Sequence, residues 1–430
     1  MKLNNTKNLQ ELKSYSVNLV KPNEIIIVSG LLKQLDTIFK NKKNYSDISI
    51  NKNFALDKVC IFISLILPNT DYNNGVKSVQ AKKIKKEVGN NYTKIIKLLK
   101  DNNIIEVDNS YQAESFSRTY KLADKFDTNK RVTYIIKSER IIKERSIIIF
   151  DKLKALESNP IARNELEFYK HVEIPTNAQA NARGKELSRQ GATTNKGKLI
   201  TYDVGRNKNS FDNHENRSFV SDALKNLKRI RENGLEIPIV STGTGGGRVT
   251  TSLTRLNSWV RDMLTVNSEP LVSLDFKSLH PAIAQKLYKG SNVFVDHSEI
   301  AKFLGTDRTT AKIQHLKFFN LDYNSFESSK IYNFYKEREP KMIAELLEEK
   351  RIQPMITKNG KKKRYPVTSE KLFNAESDLM GEIISILNNE FGVYGCYVYD
   401  CLMIQADDVE KAKEIMELGL KNNNINTKIG

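Results

Sequence analysis

Val272-Ser273-Leu274-Asp275-Phe276-Lys277-Ser278-Leu279-His280-Pro281 carries one carboxylate, Asp275, after apolar residues that read as a strand. A second stretch, Val398-Tyr399-Asp400-Cys401-Leu402, delivers Asp400 in the same way. Two aspartates from strand ends, with basic residues between them, form the donor set that a two-metal phosphoryl-transfer centre requires. Hard carboxylate oxygens can bridge two divalent ions about 3.5–4 Å apart, one activating an attacking hydroxyl and the other steadying the leaving group. A lone aspartate at a strand end is usually a turn or cap residue, so the inference depends on what surrounds the pair.

Those surroundings carry a resemblance. Residues 271–290, LVSLDFKSLHPAIAQKLYKG, resemble motif A of right-hand polymerases, and the D-F-x-S-L-x-P-x-I run is similar to that of family B. The order of the other segments is closer to family A and the single-subunit phage-type RNA polymerases. Thr244-Gly245-Gly246-Gly247-Arg248-Val249-Thr250-Thr251, followed by Leu253 and Asn257, resembles the T-G-R-[LV]-[ST]-[ST] segment that precedes motif A in family A. Asp296-His297 and then Arg308-Thr309-Thr310-Ala311-Lys312 resemble the fingers helix, whose Arg and Lys face the incoming triphosphate. Asp400 closes the series as motif C, with Tyr399 and Cys401 where the family has His before the aspartate and an acid or hydroxyl after it. The aromatic residue expected after the fingers Lys falls at Asn320, which leaves Phe319, with Phe318 beside it, as the candidate stacking residue.

The resemblance covers residues 240–410 and implies an α+β fold, an antiparallel palm sheet with helices plus helical fingers. It also implies that Asp275, Asp400 and the backbone carbonyl of Phe276 hold two Mg2+ ions, which Mn2+ can replace. Arg308 and Lys312 would meet the triphosphate; their i,i+4 spacing puts both on one helix face. Arg248 would contact the primer terminus or template. The glycines before it lack the Gly-Lys-[Ser/Thr] ending of a P-loop.

The chain has 430 residues, with 69 Lys+Arg against 51 Asp+Glu, and its net charge of +18 favours a polyanionic partner. Length and a 39% hydrophobic content predict two or three domains and exclude wholesale disorder. Cys60, Cys396 and Cys401 have no zinc-ligand spacing and suggest no disulfide framework, which fits a reducing cytoplasm. Val59 to Leu67 is too short to span a bilayer and starts too late for a signal peptide, so it predicts a buried helix; Met1 to Asn5 open a polar leader without a sorting signal.

Residues 1–125 contain a strand-like Glu24 to Val28, a basic helix through Ile95 to Leu99, and β-like runs Ile104–Val107 and Arg118–Leu122 around Asp108-Asn109-Ser110. This order resembles a winged helix, in which one helix enters a DNA groove, and Lys82, Lys83, Lys85 and Lys86 lie just ahead of that helix. A solvated protein-interaction module is the alternative. Residues 126–235 read as a connecting or thumb-like region. It holds a helix-strand element with Arg145 to Phe150 as the strand, then polar loops or a basic linker at Asn177–Lys198 and Val204–Arg217, and helical periodicity from Ser221 to Asn233. Residues 236–430 would form the palm and fingers that the resemblance implies. Ser325 to Arg351 reads as a charged helix or helix pair, and Asn359-Gly360 as the tight turn of a basic hairpin. Leu372, Leu379, Ile383, Ile384 and Leu387 mark a helix over Ser369 to Phe391.

These readings predict a template-directed DNA polymerase of a phage or mobile element, cytoplasmic, binding DNA template-primer and nucleoside triphosphates and no membrane. No D-x-E exonuclease segment precedes the core, so proofreading is not expected. His280 bears on sugar choice. It lies where family A DNA polymerases carry Glu and family B ones Tyr, both bulky enough to exclude a ribose 2′-hydroxyl, while phage-type RNA polymerases carry a small residue. Imidazole is bulky, yet it can also hydrogen-bond that hydroxyl. An RNA polymerase or primase on the same palm, and a non-catalytic DNA-binding replication initiator, are the rival readings.

Overall fold

In the strand Val272–Lys277, Leu274 and Phe276 are buried while Ser273 and Lys277 face solvent, the period-two alternation of a sheet with one covered face. The computed structural model that shows this describes residues 19, 21–67, 76–108, 117–126, 131–194, 197–202, 216–358, 361–364 and 366–430. They divide into two units. One takes the described residues within Met1–Lys154, Lys225–Leu235 and Thr357–Lys361; the other takes those within Ala155–Leu224, Glu236–Ile356 and Lys362–Gly430.

The second unit is built on a four-stranded antiparallel sheet in the order Cys396–Val398, Cys401–Ile404, Val272–Lys277, Lys428–Ile429. Its register sets Asp275 opposite Cys401 and Leu274 opposite Leu402. The helix Val367–Phe391 contributes Leu372, Leu379, Met380, Ile383, Ile384 and Leu387 to the core over this sheet, and Leu274, Phe276, Tyr397 and Leu402 belong to the same cluster. The helix Val409–Asn422 approaches closely at Gly419, where a Cβ would sit 2.7 Å from Ile383 Cγ1. A third helix, Pro160–Phe168, is tied to the hairpin by backbone mimicry: Asn164 Nδ2 donates to the Gly395 carbonyl at 2.7 Å, and Tyr397 N donates to Glu165 Oε1 at 2.6 Å.

After the strand come Leu279–Leu287, His297–Leu304, Arg308–Phe318, Lys330–Arg338 and Pro340–Ile352. Asp296 caps the second of these with a capping box to Glu299, and Asp307 caps the third by accepting from Thr310 N at 2.9 Å. Pro340 fills the first turn of the last helix, so Ser325 to Arg351 is broken into separate helices there. The strands Met355–Lys358 and Lys361–Arg364 pair; the Asn359-Gly360 turn lies outside the described residues.

In the first unit, Glu24–Val28 pairs antiparallel with Arg131–Ile135. Val59 to Ile66 lies in the helix Lys52–Ile66, which is buried at every position from Ala55 to Ile63. Next in order are the strand Val76–Ser78, the helices Ala81–Val88 and Tyr92–Asp101, and the strands Ile105–Asp108 and Thr119–Leu122. The three strands form an antiparallel sheet with Thr119–Leu122 in the centre. Ile84, Val88, Ile95, Ile96, Leu98 and Leu99 turn inward, and Lys82, Lys83, Lys85, Lys86, Lys94, Lys97 and Lys100 are exposed. Of the polar loop read at 108–110, only Asp108 is described. Among the described residues no helix is long and apolar enough to cross a membrane.

Two local expectations are corrected. Arg145 to Phe150 is not a strand but part of the helix Glu139–Leu156. Its β-prone isoleucines yield to a start fixed from outside: the buried Asp57 carboxylate accepts from Ser138 N at 2.7 Å, Lys137 N at 3.1 Å and Tyr134 Oη at 2.6 Å. A carboxylate at a helix N-terminus satisfies free amides and complements the macrodipole. Asn177–Arg189 is likewise a helix rather than a loop, opened by a Thr176–Gln179 capping box, with Ala180, Gly184 and Leu187 buried at helical spacing. The stretch from Val204 lies outside the described residues up to 215.

Asp57→Ala strips the buried Tyr134 hydroxyl and two partly buried backbone amides of their acceptor, and a buried group left unsatisfied costs about 1–3 kcal/mol. Urea denaturation is expected to show a loss of roughly 3 kcal/mol, against under ~0.5 kcal/mol for a surface change such as Lys97→Ala.

Candidate active site

Asp400 occupies the second position of a two-residue turn, Tyr399-Asp400, between the paired Val398 and Cys401. Tyr399 takes a left-handed φ of 61°, unfavourable for a residue with a Cβ. The turn docks on the Asp275 strand: Phe276 N donates to the Asp400 carbonyl at 3.1 Å, while Asp275 exchanges two backbone bonds with Gly430, at 2.9 and 3.0 Å. In an antiparallel ladder a residue's N–H and C=O point to the same side, so the Phe276 carbonyl also faces the Asp400 turn. Sheet register thus brings Asp275, Phe276 and Asp400 together.

Their electrostatics are unfavourable without a counter-charge. Burial, then the neighbouring carboxylates Glu376 and Asp275, push the Asp400 carboxyl up to about 7, with His280 opposing. Burial also raises Asp275, with Lys277 and Lys312 pulling the other way. Lys277 Nζ lies 3.6 Å from Asp275 Oδ2, and that carboxylate is 43% exposed. Lys312 is half-buried and has no hydrogen-bonded or ion-paired partner among the described residues. Arg308, one turn earlier, is exposed and sits 3.7 Å from Asp296. Leu316, one turn later, continues the same face and is 46% exposed.

The two divalent ions implied by the resemblance can be tested against this donor set. Asp275, Asp400 and the Phe276 carbonyl offer hard oxygens only. The Cys401 thiol, opposite Asp275, is pushed up to about 12 by burial and then by Asp275, so it adds no soft anion. Divalent cations would relieve the carboxylate repulsion, and the residues present fit them. Among the described residues no group of three or more His, Cys, Asp or Glu gathers as a metal cage, so phosphate oxygens and water would complete the coordination.

Beside this pair lies a cluster that the sequence reading did not assemble. Glu376, from Val367–Phe391, is 1% exposed, and its carboxylate accepts from Arg248 Nε at 2.7 Å, Arg248 Nη2 at 2.6 Å and His280 Nε2 at 2.7 Å. Burial raises its carboxyl, but these bonds from His280 and Arg248 outweigh it and hold the group below the ordinary range. The Arg248 guanidinium stacks 3.7 Å from the Phe373 ring centroid and 4.8 Å from that of Tyr399. Close approach of the glycine loop makes this possible. Gly246 has φ 56°, and a Cβ there would fall 2.4 Å from Phe373 Cβ and 2.8 Å from Asn374 N. One signal could have found Glu376: it interrupts the apolar stripe Leu372, Leu379, Ile383 at the position one turn after Leu372.

A second unforeseen feature is a buried chain. Ser278 Oγ lies 3.2 Å from His297 Nε2, His297 Nδ1 3.1 Å from His315 Nδ1, and His315 Nε2 2.6 Å from Tyr335 Oη. It runs from the exit of the Asp275 strand into the helix that carries Lys312. Phe319 lies beyond it and is corrected. At 1% exposure it packs on Phe318, His315 and Tyr335, as a core side chain with no face for a base.

No protein-family model matches the chain, and no curated protein matches it. Among solved structures, the POL domain of Pol1 from M. smegmatis, in complex with DNA primer-template and dNTP, is similar at 11% identity and a TM-score of 0.41. The match covers 67% of this chain and 74% of that one.

Burial, then Lys312 and Arg308, lower His297 to about 4 against the pull of Asp296; burial, then His297, hold His315 well below the ordinary value. Unfolding restores ordinary imidazoles near 6.5, so below that pH the unfolded chain binds protons that the folded one does not. The stability these two histidines contribute should be fully present above about pH 6.5 and fall toward pH 4, by about 1.4 kcal/mol per pH unit for each, while the raised Asp275 and Asp400 carboxyls act in the opposite direction. Denaturant titrations at pH 7 and pH 4.5 on the wild type and on a His297→Gln, His315→Phe double variant isolate this contribution as a difference: the same drop in pH should cost the wild type more stability than the variant.

Proposed function

We propose that this chain is a template-directed nucleic-acid polymerase that extends a DNA primer with deoxynucleotides, on a right-hand palm with helical fingers. The observation that carries the reading is the pairing of Asp275 with the Asp400 turn through the Phe276–Asp400 backbone bond, with Lys312 near enough to act on the Asp275 charge. Bound at these oxygens, two magnesium or manganese ions would activate the primer 3′-hydroxyl and steady the leaving pyrophosphate.

The remaining work falls to side chains. Lys312, free of any protein partner among the described residues, offers a point charge to the triphosphate, and Arg308 on the same face offers a bidentate fork. Both offset negative charge that builds on the leaving group. Leu316, rather than Phe319, gives that face an apolar surface for the incoming nucleotide. Arg248 spends Nε and Nη2 on Glu376, which leaves its Nη1 donors for the primer terminus or template. In the first unit, the order helix, strand, two helices and two strands supports a winged-helix reading, with the exposed lysines of Ala81–Val88 and Tyr92–Asp101 meeting phosphates. A cytoplasmic setting and a phage or mobile-element source belong to the same proposal.

Asp275→Asn and Asp400→Asn each remove a metal-binding charge at nearly constant size. Primer extension with magnesium is expected to fall at least about a thousandfold, with DNA affinity by fluorescence anisotropy changed less than about threefold. Substantial extension by either variant would remove the two-metal assignment.

Changing Lys82, Lys83, Lys85 and Lys86 together to Ala in the full chain should weaken DNA binding at low salt. The slope of log K against log salt should become shallower by about 0.9 for each phosphate that the lysines no longer neutralise. An unchanged slope would favour the protein-interaction module.

A further inference from the structure

Glu376 accounts for both of its neighbours. A carboxylate only accepts, so the 2.7 Å contact to Oε2 requires His280 to carry its proton on Nε2. That leaves Nδ1 as the ring atom free to meet anything outside the cluster. The same Oε2 receives Arg248 Nη2, which lies 3.2 Å from His280 Nε2, so the two donors converge on one oxygen rather than bonding to each other. The imidazole is also flanked by Phe373, ring centroids 5.4 Å apart. Hydrogen bond and ring contact together fix its tautomer and its plane.

We propose that Glu376 is the positioning residue for sugar selection: it holds His280 as a fixed wall that admits deoxynucleoside triphosphates and turns away the ribose 2′-hydroxyl, and through Arg248 it ties that wall to the primer end. This rests on the polymerase reading. A histidine without its carboxylate would change rotamer at low cost and yield to a ribose. Held at 2.7 Å by a group that is itself 1% exposed, it can move only by leaving a buried charge short of a donor. Discrimination therefore depends on the anchor as well as on ring size.

The test is single-nucleotide primer extension by the full chain, read as the ratio of kcat/KM for a deoxynucleotide to that for the matching ribonucleotide. His280→Gln keeps a donor for Glu376 and should hold the ratio within about threefold of wild type. His280→Leu has similar bulk but no donor, and should lower it about tenfold or more. Glu376→Gln should lower the ratio to a similar extent, and adding His280→Leu to it should bring no further loss, as for residues acting as one unit. Equal ratios for His280→Gln and His280→Leu would show that bulk alone matters and would overturn the role of Glu376, even if Glu376→Gln failed to fold. Equal loss of both sugars in Glu376→Gln would reduce it to a structural residue. A wild type that prefers ribonucleotides overturns the deoxynucleotide assignment. A wild type that extends with neither sugar removes the polymerase reading itself.

Discussion

The charge on Glu376 is the constraint from which the neighbourhood of the site follows. A carboxylate with 1% exposure stays ionised inside a protein only when its lone pairs are met by cationic donors, because its desolvation penalty runs to several kcal/mol. Arg248 supplies two bonds and His280 a third. To deliver Arg248, the glycine loop must lie against the backbone of Val367–Phe391 closer than any Cβ permits, and Gly246 allows this. To deliver His280, the first turn of Leu279–Leu287 must face the same helix. The loop, two helices and the Tyr399 turn are thus held around one buried charge.

The second constraint is register. In Val272–Lys277 the odd-numbered residues Ser273, Asp275 and Lys277 face away from the core that Leu274 and Phe276 enter. A slip of one residue would drive Asp275 inward and expose Phe276, so the hydrophobic pattern protects the position of the carboxylate. Pairing on both sides, to Cys401–Ile404 and to Lys428–Ile429 with Gly430 beyond it, holds the same register from two directions.

What the sequence discloses and what it hides divide along this line. The strands around Asp275 and Asp400 are legible because apolar runs are a local pattern, although Asp275 lies within its strand and Asp400 in a turn rather than at strand ends; the helices of Lys52–Ile66 and Val367–Phe391 are legible because their apolar spacing is local too. Arg145 to Phe150 misleads because the helix start there is set by Asp57, some eighty positions away in the chain. Asn177–Arg189 misleads because its composition is polar while its three inward positions are small or single. Phe319 could not be separated from an exposed aromatic without knowing that Phe318, His315 and Tyr335 close around it. Glu376 was visible only as a flaw in a stripe; its meaning needs Arg248 and His280, 128 and 96 positions away.

Two of the left-handed residues lie at the same place. Ser278 with φ 52° and Tyr399 with φ 61° bracket the two aspartates, three residues after Asp275 and one before Asp400. Each left-handed residue costs about 1–2 kcal/mol, and each is held by a partner that does other duty. Tyr399 lies under the Arg248 guanidinium, and Ser278 meets His297. Through His297 and His315 the second contact reaches the helix of Lys312. The turn that presents Asp400 is therefore coupled to the Glu376 cluster, and the exit of the Asp275 strand to the cationic helix. A substitution in either network should be felt at the carboxylate it supports, although neither network touches a carboxylate of the pair by hydrogen bond.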